Sequence, residues 1–210
     1  MTCGLALSRR LIGEKLEMGE VPHLAPENIS TGAAPAGETL QRIVLTGFMG
    51  SGKSTVGRLL ARQLLWRFVD ADTEIEAAAG ATVAEIFRTQ GEVSFRELEH
   101  QTILRLLDSN QLVLALGGGA IEDIRTRRVL LQCPNTRMVH LEASLETVLQ
   151  RCSGTEGLRP VLADRTHLAA RYEQRLPLYR QSHLTLPVDK YTPQIIVQAV
   201  LTSLAISPKP

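Results

Sequence analysis

With 210 residues the chain has room for one well-buried domain and an appendage, and its 44% apolar content is that of a globular protein. Basic and acidic side chains nearly cancel, 23 against 22, which excludes a polybasic surface for nucleic acid or for an acidic membrane. Cys3, Cys133 and Cys152 are odd in number and far apart, so a reducing cytosol is expected rather than a disulfide frame or zinc site, and no apolar run approaches the ~18 residues of a membrane span.

Residues 1–40 read as an N-terminal extension, expected to be disordered. Pro22, Pro26, Gly32, Pro35 and Gly37 are scattered among small residues with no sustained periodicity. Leu7, Leu11, Ile12 and Leu16 could share a helical face, but so short a helix is marginal alone. Arg9 and Arg10 interrupt any secretory apolar core, and Glu14, Glu17, Glu20, Glu27 and Glu38 are too acidic for a transit peptide.

A single domain is expected over residues 41–206, with 207–210 a C-terminal tail. Its first strand is Ile43–Thr46, followed by a helix with Val56, Leu59, Leu60 and Leu64 at helical spacing. Arg67–Val69 is the second strand. Thr82-Val-Ala-Glu85 is a capping box opening a helix with Val83, Ile86 and Phe87 inward, and a further helix runs from about Val93 to Leu107. Leu112–Leu116 is a wholly apolar strand ending in Gly117-Gly118-Gly119. Arg137–Leu141 is the fourth strand, Leu145–Arg151 the helix after it, Arg171–Arg180 another helix, and Leu184–Val188 the last strand. Thr192 and Pro193 suit the N-cap and N1 positions of a closing helix that buries Ile195, Ile196, Ala199, Val200 and Leu204. Five apolar strands alternating with helices predict an α/β fold with a parallel sheet covered on both faces, and ligands gather at the carboxyl edge of such a sheet.

That edge carries the chemistry. Gly47-Phe-Met-Gly-Ser-Gly-Lys-Ser-Thr55 matches the phosphate-loop pattern between a strand and a helix. Its glycines let the backbone lay successive N–H groups around phosphate oxygens, the helix start adds its positive end, Lys53 a mobile charge and Ser54 a hydroxyl for Mg²⁺. Gly50, Ser51, Gly52, Lys53, Ser54 and Thr55 are the candidate nucleotide-binding residues. Strand two ends in Asp70-Ala-Asp72. Asp70 is placed to hold Mg²⁺ through water, while Asp72 could either face a phosphate acceptor or cap the next helix. Arg96 and Glu99 share a helical face. Arg159-Pro160 lies in an irregular segment, about 152–164, suited to a lid, and Arg175 sits on a helix before Pro177.

Taken together, these residues resemble shikimate kinase over essentially all of Ile43 to Leu204. The similarity rests on strings in order: Gly47 to Gly57, Phe68-Val-Asp-Ala-Asp72, Gly91 through Phe95-Arg96 to Glu99, Leu114 to Ala120, Arg159-Pro160, and Arg175 through Pro177-Leu-Tyr179. The resemblance implies a three-layer P-loop kinase fold with a five-stranded parallel sheet and a mobile lid. It also implies transfer of the ATP γ-phosphoryl group to the 3-hydroxyl of shikimate, with Mg²⁺ as cofactor, in chorismate and aromatic amino acid biosynthesis. Asp72 would be the base, and Arg96 and Arg175 would grip the substrate carboxylate with help from Gly118 and its neighbours Gly117 and Gly119. Glu99 would touch a hydroxyl or orient Arg96. Arg159 would neutralise charge on the transferred group together with Lys53, and Arg151 with the segment Val188–Pro193 would hold adenine. A cytoplasmic monomer without nucleic-acid or membrane partners is expected.

Two features depart from the family pattern: the extension before residue 41, and Leu65, which stands where a glycine commonly ends the first helix. A kinase of another hydroxy acid such as gluconate, or a non-catalytic nucleotide-binding regulatory module, are the alternative functions. The joint presence of Asp72, Arg96, Gly118 and Arg175 favours catalysis.

Overall fold

The structure is a computed structural model that describes residues 30–31, 39–153 and 165–206. Its apolar runs pair as one sheet. Strands β2 (Arg42–Thr46), β3 (Arg67–Asp70), β4 (Leu112–Ala115), β5 (Thr136–Glu142) and β6 (Leu184–Pro187) are parallel, as expected. A two-residue strand from the extension, β1 (Ser30–Thr31), joins antiparallel beside β6, giving the order β1-β6-β5-β2-β4-β3. The sequence pattern did not announce that edge strand, since antiparallel pairing uses backbone groups that any residue carries; Ser30 stands opposite Thr185 and Thr31 opposite Leu184. It covers backbone groups that β6 would otherwise leave unpaired.

Strand β2 lies between β5 and β4, and its Ile43, Val44 and Leu45 are fully buried, as are all four residues of β4. Burial on both faces is why these strands read as unbroken apolar runs rather than alternating ones. The helices that cover them are α1 (Lys53–Leu64), α2 (Ala71–Ala79), α3 (Val83–Leu107), α4 (Ile124–Gln132), α5 (Leu145–Cys152), α6 (Arg165–Tyr179) and α7 (Pro193–Ser203). The two helices expected between Val83 and Leu107 are both present within the span α3, parted at Gly91, whose backbone is non-helical (φ 80°, ψ 172°).

Local signals hold at most helix ends. The capping box is formed in both directions, Glu85 N–H donating to Thr82 Oγ1 at 3.2 Å and Thr82 N–H to the Glu85 carboxylate at 2.8 Å. Thr192 caps α7 with Pro193 in its first turn. Helix α6 runs from Arg165 to Tyr179 and so carries the stretch expected to be helical from Arg171. Leu65 ends α1 in the left-handed conformation (φ 57°, ψ 37°), so the turn keeps its shape without glycine at a cost of about 1–2 kcal/mol.

Candidate active site

The phosphate loop begins where β2 stops. Between Gly47 and Gly52 the chain turns back on itself, with Gly50 at φ 72° and Gly52 at φ 97°. A side chain at Gly47 would come within 2.6 Å of the Leu141 carbonyl, so the loop is pressed onto β5. Gly52 is the N-cap of α1 and brings no side chain to bond its first turn. The first N–H groups of α1, with the helix dipole behind them, therefore remain available to an anion. The Lys53 ammonium donates to the carbonyls of Gly47 (2.8 Å) and Phe48 (3.0 Å), curling over its own loop. Ser51 places a buried hydroxyl here with no partner among the described residues, and Thr55 lies exposed in the first turn of α1.

Two further ties position this loop. The Arg151 guanidinium on α5 donates to the carbonyls of Gly50 (3.3 Å) and Val188 (3.2 Å), joining the loop to the start of the segment where adenine is expected. Ser54 Oγ donates to Asp70 Oδ2 at 2.8 Å. Asp70 occupies the N-cap position of α2, yet its side chain makes no capping bond and turns to Ser54 instead. Asp72 lies in the first turn of α2, so the alternative that Asp72 caps this helix is not realised.

The acceptor side is assembled on the three glycines after β4. A Cβ on Gly117 would lie 2.5 Å from Asp72 Oδ1 and 2.8 Å from Glu99 Oε1. On Gly118 it would be 3.7 Å from Arg175 Nη1 and 3.8 Å from both the Met49 nitrogen and the Tyr179 hydroxyl; on Gly119 it would run into the Arg96 guanidinium. Three successive residues thus touch Asp72, Glu99, Arg175, Arg96 and the phosphate loop, and at Gly117 and Gly119 only a residue without a side chain permits the approach.

Electrostatics at this point are set by burial. Glu99 is only 2% exposed and accepts from Arg96 Nη1 at 2.8 Å. Burial outweighs that pairing and, with repulsion from Asp72, lifts its carboxyl to about 7. Asp72 is also raised, by burial first and then by the charge of Asp70, with Lys53 opposing. Burial works against the Arg96 charge as well, but Glu99, Glu122 and Glu92 together overcome it and raise its pKa.

A family model for shikimate kinase matches residues 49–205. The chain is 41% identical over 163 residues to the shikimate kinase of Persephonella marina, covering 77% of this chain and 98% of that one. It is 38% identical to the shikimate kinase of Thermus thermophilus, covering 77% and 89%. The chain belongs to the shikimate kinase family. A solved shikimate kinase from Acinetobacter baumannii in complex with shikimate superposes with a TM-score of 0.74 at 38% identity, over 80% of this chain and 94% of that one. This chain is therefore an ATP-dependent kinase with the three-layer P-loop fold of its family.

Within this kinase, Asp72, Arg96, Glu99, Gly117, Gly118, Gly119 and Arg175 come together, and Lys53, Ser54, Asp70 and Arg151 meet at or beside the loop. Arg159 and segment 154–164 lie outside the described residues. Sequence reasoning gave no role to three residues. Tyr179 donates its hydroxyl to the Gly118 carbonyl at 2.5 Å, and its position four residues after Arg175 on α6 was the available signal. Its ring stacks on buried His140, centroids 5.0 Å apart. Glu122 accepts from both Arg175 Nη2 (2.7 Å) and Arg96 Nη2 (3.3 Å), a contact with no local sequence signature.

Proposed function

We propose that the site described here transfers the γ-phosphoryl group of ATP to the 3-hydroxyl of shikimate, releasing 3-phosphoshikimate and ADP for chorismate and aromatic amino acid biosynthesis. The observation that carries this reading is the convergence of Asp72, Glu99, Arg96 and Arg175 on Gly117–Gly119, with Gly118 also against Met49 of the phosphate loop. Two arginines suit a planar carboxylate because guanidinium forks donate paired bonds to it. Asp72 accepts the proton of the attacking hydroxyl as its oxygen bonds to the γ-phosphorus and the bond to the ADP oxygen breaks. Transfer passes through a loose transition state, so alignment and charge stabilisation matter most, and Lys53 and, as the family resemblance implies, Arg159 supply the positive charge.

The cation is Mg²⁺. Ser54 and Asp70 fit it as an adjacent hydroxyl and carboxylate, 2.8 Å apart at the loop. Mg²⁺ keeps several of its waters and takes further oxygens from the nucleotide, so a hydroxyl and a carboxylate from the protein are enough. When bound, it offsets negative charge on the phosphates. No described helix is long and apolar enough to cross a membrane. A cytoplasmic monomer is the working unit of this proposal.

Purified protein incubated with MgATP should release ADP on addition of shikimate and not of gluconate. Absence of shikimate-dependent ADP, with gluconate active or both inert, overturns the assignment. Arg96→Lys should raise the KM for shikimate by about 30-fold or more, since lysine cannot reproduce the fork, while the KM for ATP changes little. Equal effects on both constants would return Arg96 to a structural role.

A further inference from the structure

We infer that Glu122 is an in-chain carboxylate that occupies the substrate-carboxylate donors of Arg96 and Arg175 and is displaced when the substrate's own carboxylate arrives. The inference rests on the acceptor site proposed above and adds a residue to it that sets substrate affinity. Glu122 ends the short 3-10 turn Ala120–Glu122 directly after the three glycines, and this turn is anchored by Ala120 and Ile121, both fully buried. Its carboxylate alone spans the two guanidiniums among the described contacts. The other partners of Arg96, Glu99 at 2.8 Å and Glu92 at 3.1 Å, have no bond to Arg175.

Three features mark the contact as displaceable rather than a permanent clamp. A single oxygen, Oε2, serves both arginines, so neither receives the two parallel bonds a guanidinium fork can give. The Glu122 side chain is 35% exposed, against 9% for Arg175 and 17% for Arg96, so the acid rehydrates easily while the buried cations do not. Among the described residues Arg175 Nε is buried without a hydrogen-bond partner, leaving a donor in reserve. Two guanidiniums this close would repel each other and attract any small anion if left bare. A tethered carboxylate neutralises them and also competes with the substrate.

The test compares the full-length protein with Glu122→Gln, Glu122→Ala and the shorter, still charged Glu122→Asp. The KM for shikimate should fall about threefold to tenfold in Gln and Ala, with Asp between them and wild type, and the KM for ATP should not move. In thermal unfolding, Gln and Ala should melt lower than wild type without ligand, and saturating shikimate should raise their Tm by more. The methyl ester of shikimate, which lacks the anionic group, should gain nothing in any variant. An unchanged or raised shikimate KM in the variants, with the same ligand-induced Tm rise as wild type, would overturn displacement and make Glu122 a fixed clamp. Wild-type protein without shikimate-dependent turnover would instead fail at the acceptor assignment, and the inference with it.

Discussion

Asp72→Asn is expected to lower kcat by about 10²–10³ while leaving ATP affinity within about twofold. The amide keeps the shape and an acceptor oxygen but cannot take the proton of the attacking hydroxyl. Loss at the upper end of general-base effects is not expected, because in phosphoryl transfer much of the acceleration comes from alignment and charge stabilisation. ATP binding is spared for a geometric reason: Asp70, not Asp72, bonds Ser54 at the phosphate loop. Stability should hold or improve slightly, since burial and the neighbouring charge of Asp70 both disfavour the Asp72 carboxylate. Steady-state kinetics with shikimate, paired with a nucleotide titration and a urea melt, separates these effects. Turnover equal to wild type would remove Asp72 from the chemistry, and a parallel loss of ATP binding would place it with the metal instead.

The sheet and the phosphate loop were legible because each is written in a continuous stretch. Apolar runs such as Leu112–Leu116 have a single stable use in a doubly covered sheet, and the glycines around Lys53 have a backbone reason to be where they are. Caps at Thr82 and Thr192 were legible for the same cause, since the bonds span three residues. Spacing alone could not tell whether Arg96 and Glu99 formed a surface pair. What decides it is tertiary: Glu99 is buried against Gly117, and Gly119 faces the Arg96 guanidinium. Glu122 was illegible because its partners lie 26 and 53 residues away, on two different helices. The edge strand at Ser30–Thr31 was hidden since backbone pairing needs no particular side chain. Leu65 shows the reverse: its departure from glycine was visible, but only the fold says that the left-handed turn survives it.

Glu99→Gln should make stability less dependent on pH, with the sign fixed by burial. In the folded protein the Glu99 carboxyl is lifted from 4.5 to about 7, by burial above all, with Arg96 opposing. Between those values the native state keeps a proton that the unfolded chain has released, so wild-type stability falls as pH rises through this window. Glutamine carries no such proton. The stability of Glu99→Gln relative to wild type is therefore expected to grow by up to about 3 kcal/mol from pH 5 to pH 8. Other groups tilt the curve of either protein: burial lowers His140 from 6.5 to about 4, against the pull of Glu142, so its contribution is full above 6.5 and fades as pH falls toward 4. That effect is common to both proteins and cancels in the difference, which is why urea melts of the pair at each pH are the measurement rather than the wild-type profile alone. A difference that stays constant across the range would mean that Arg96 holds Glu99 ionised throughout, and that the pair at 2.8 Å outweighs the burial around it.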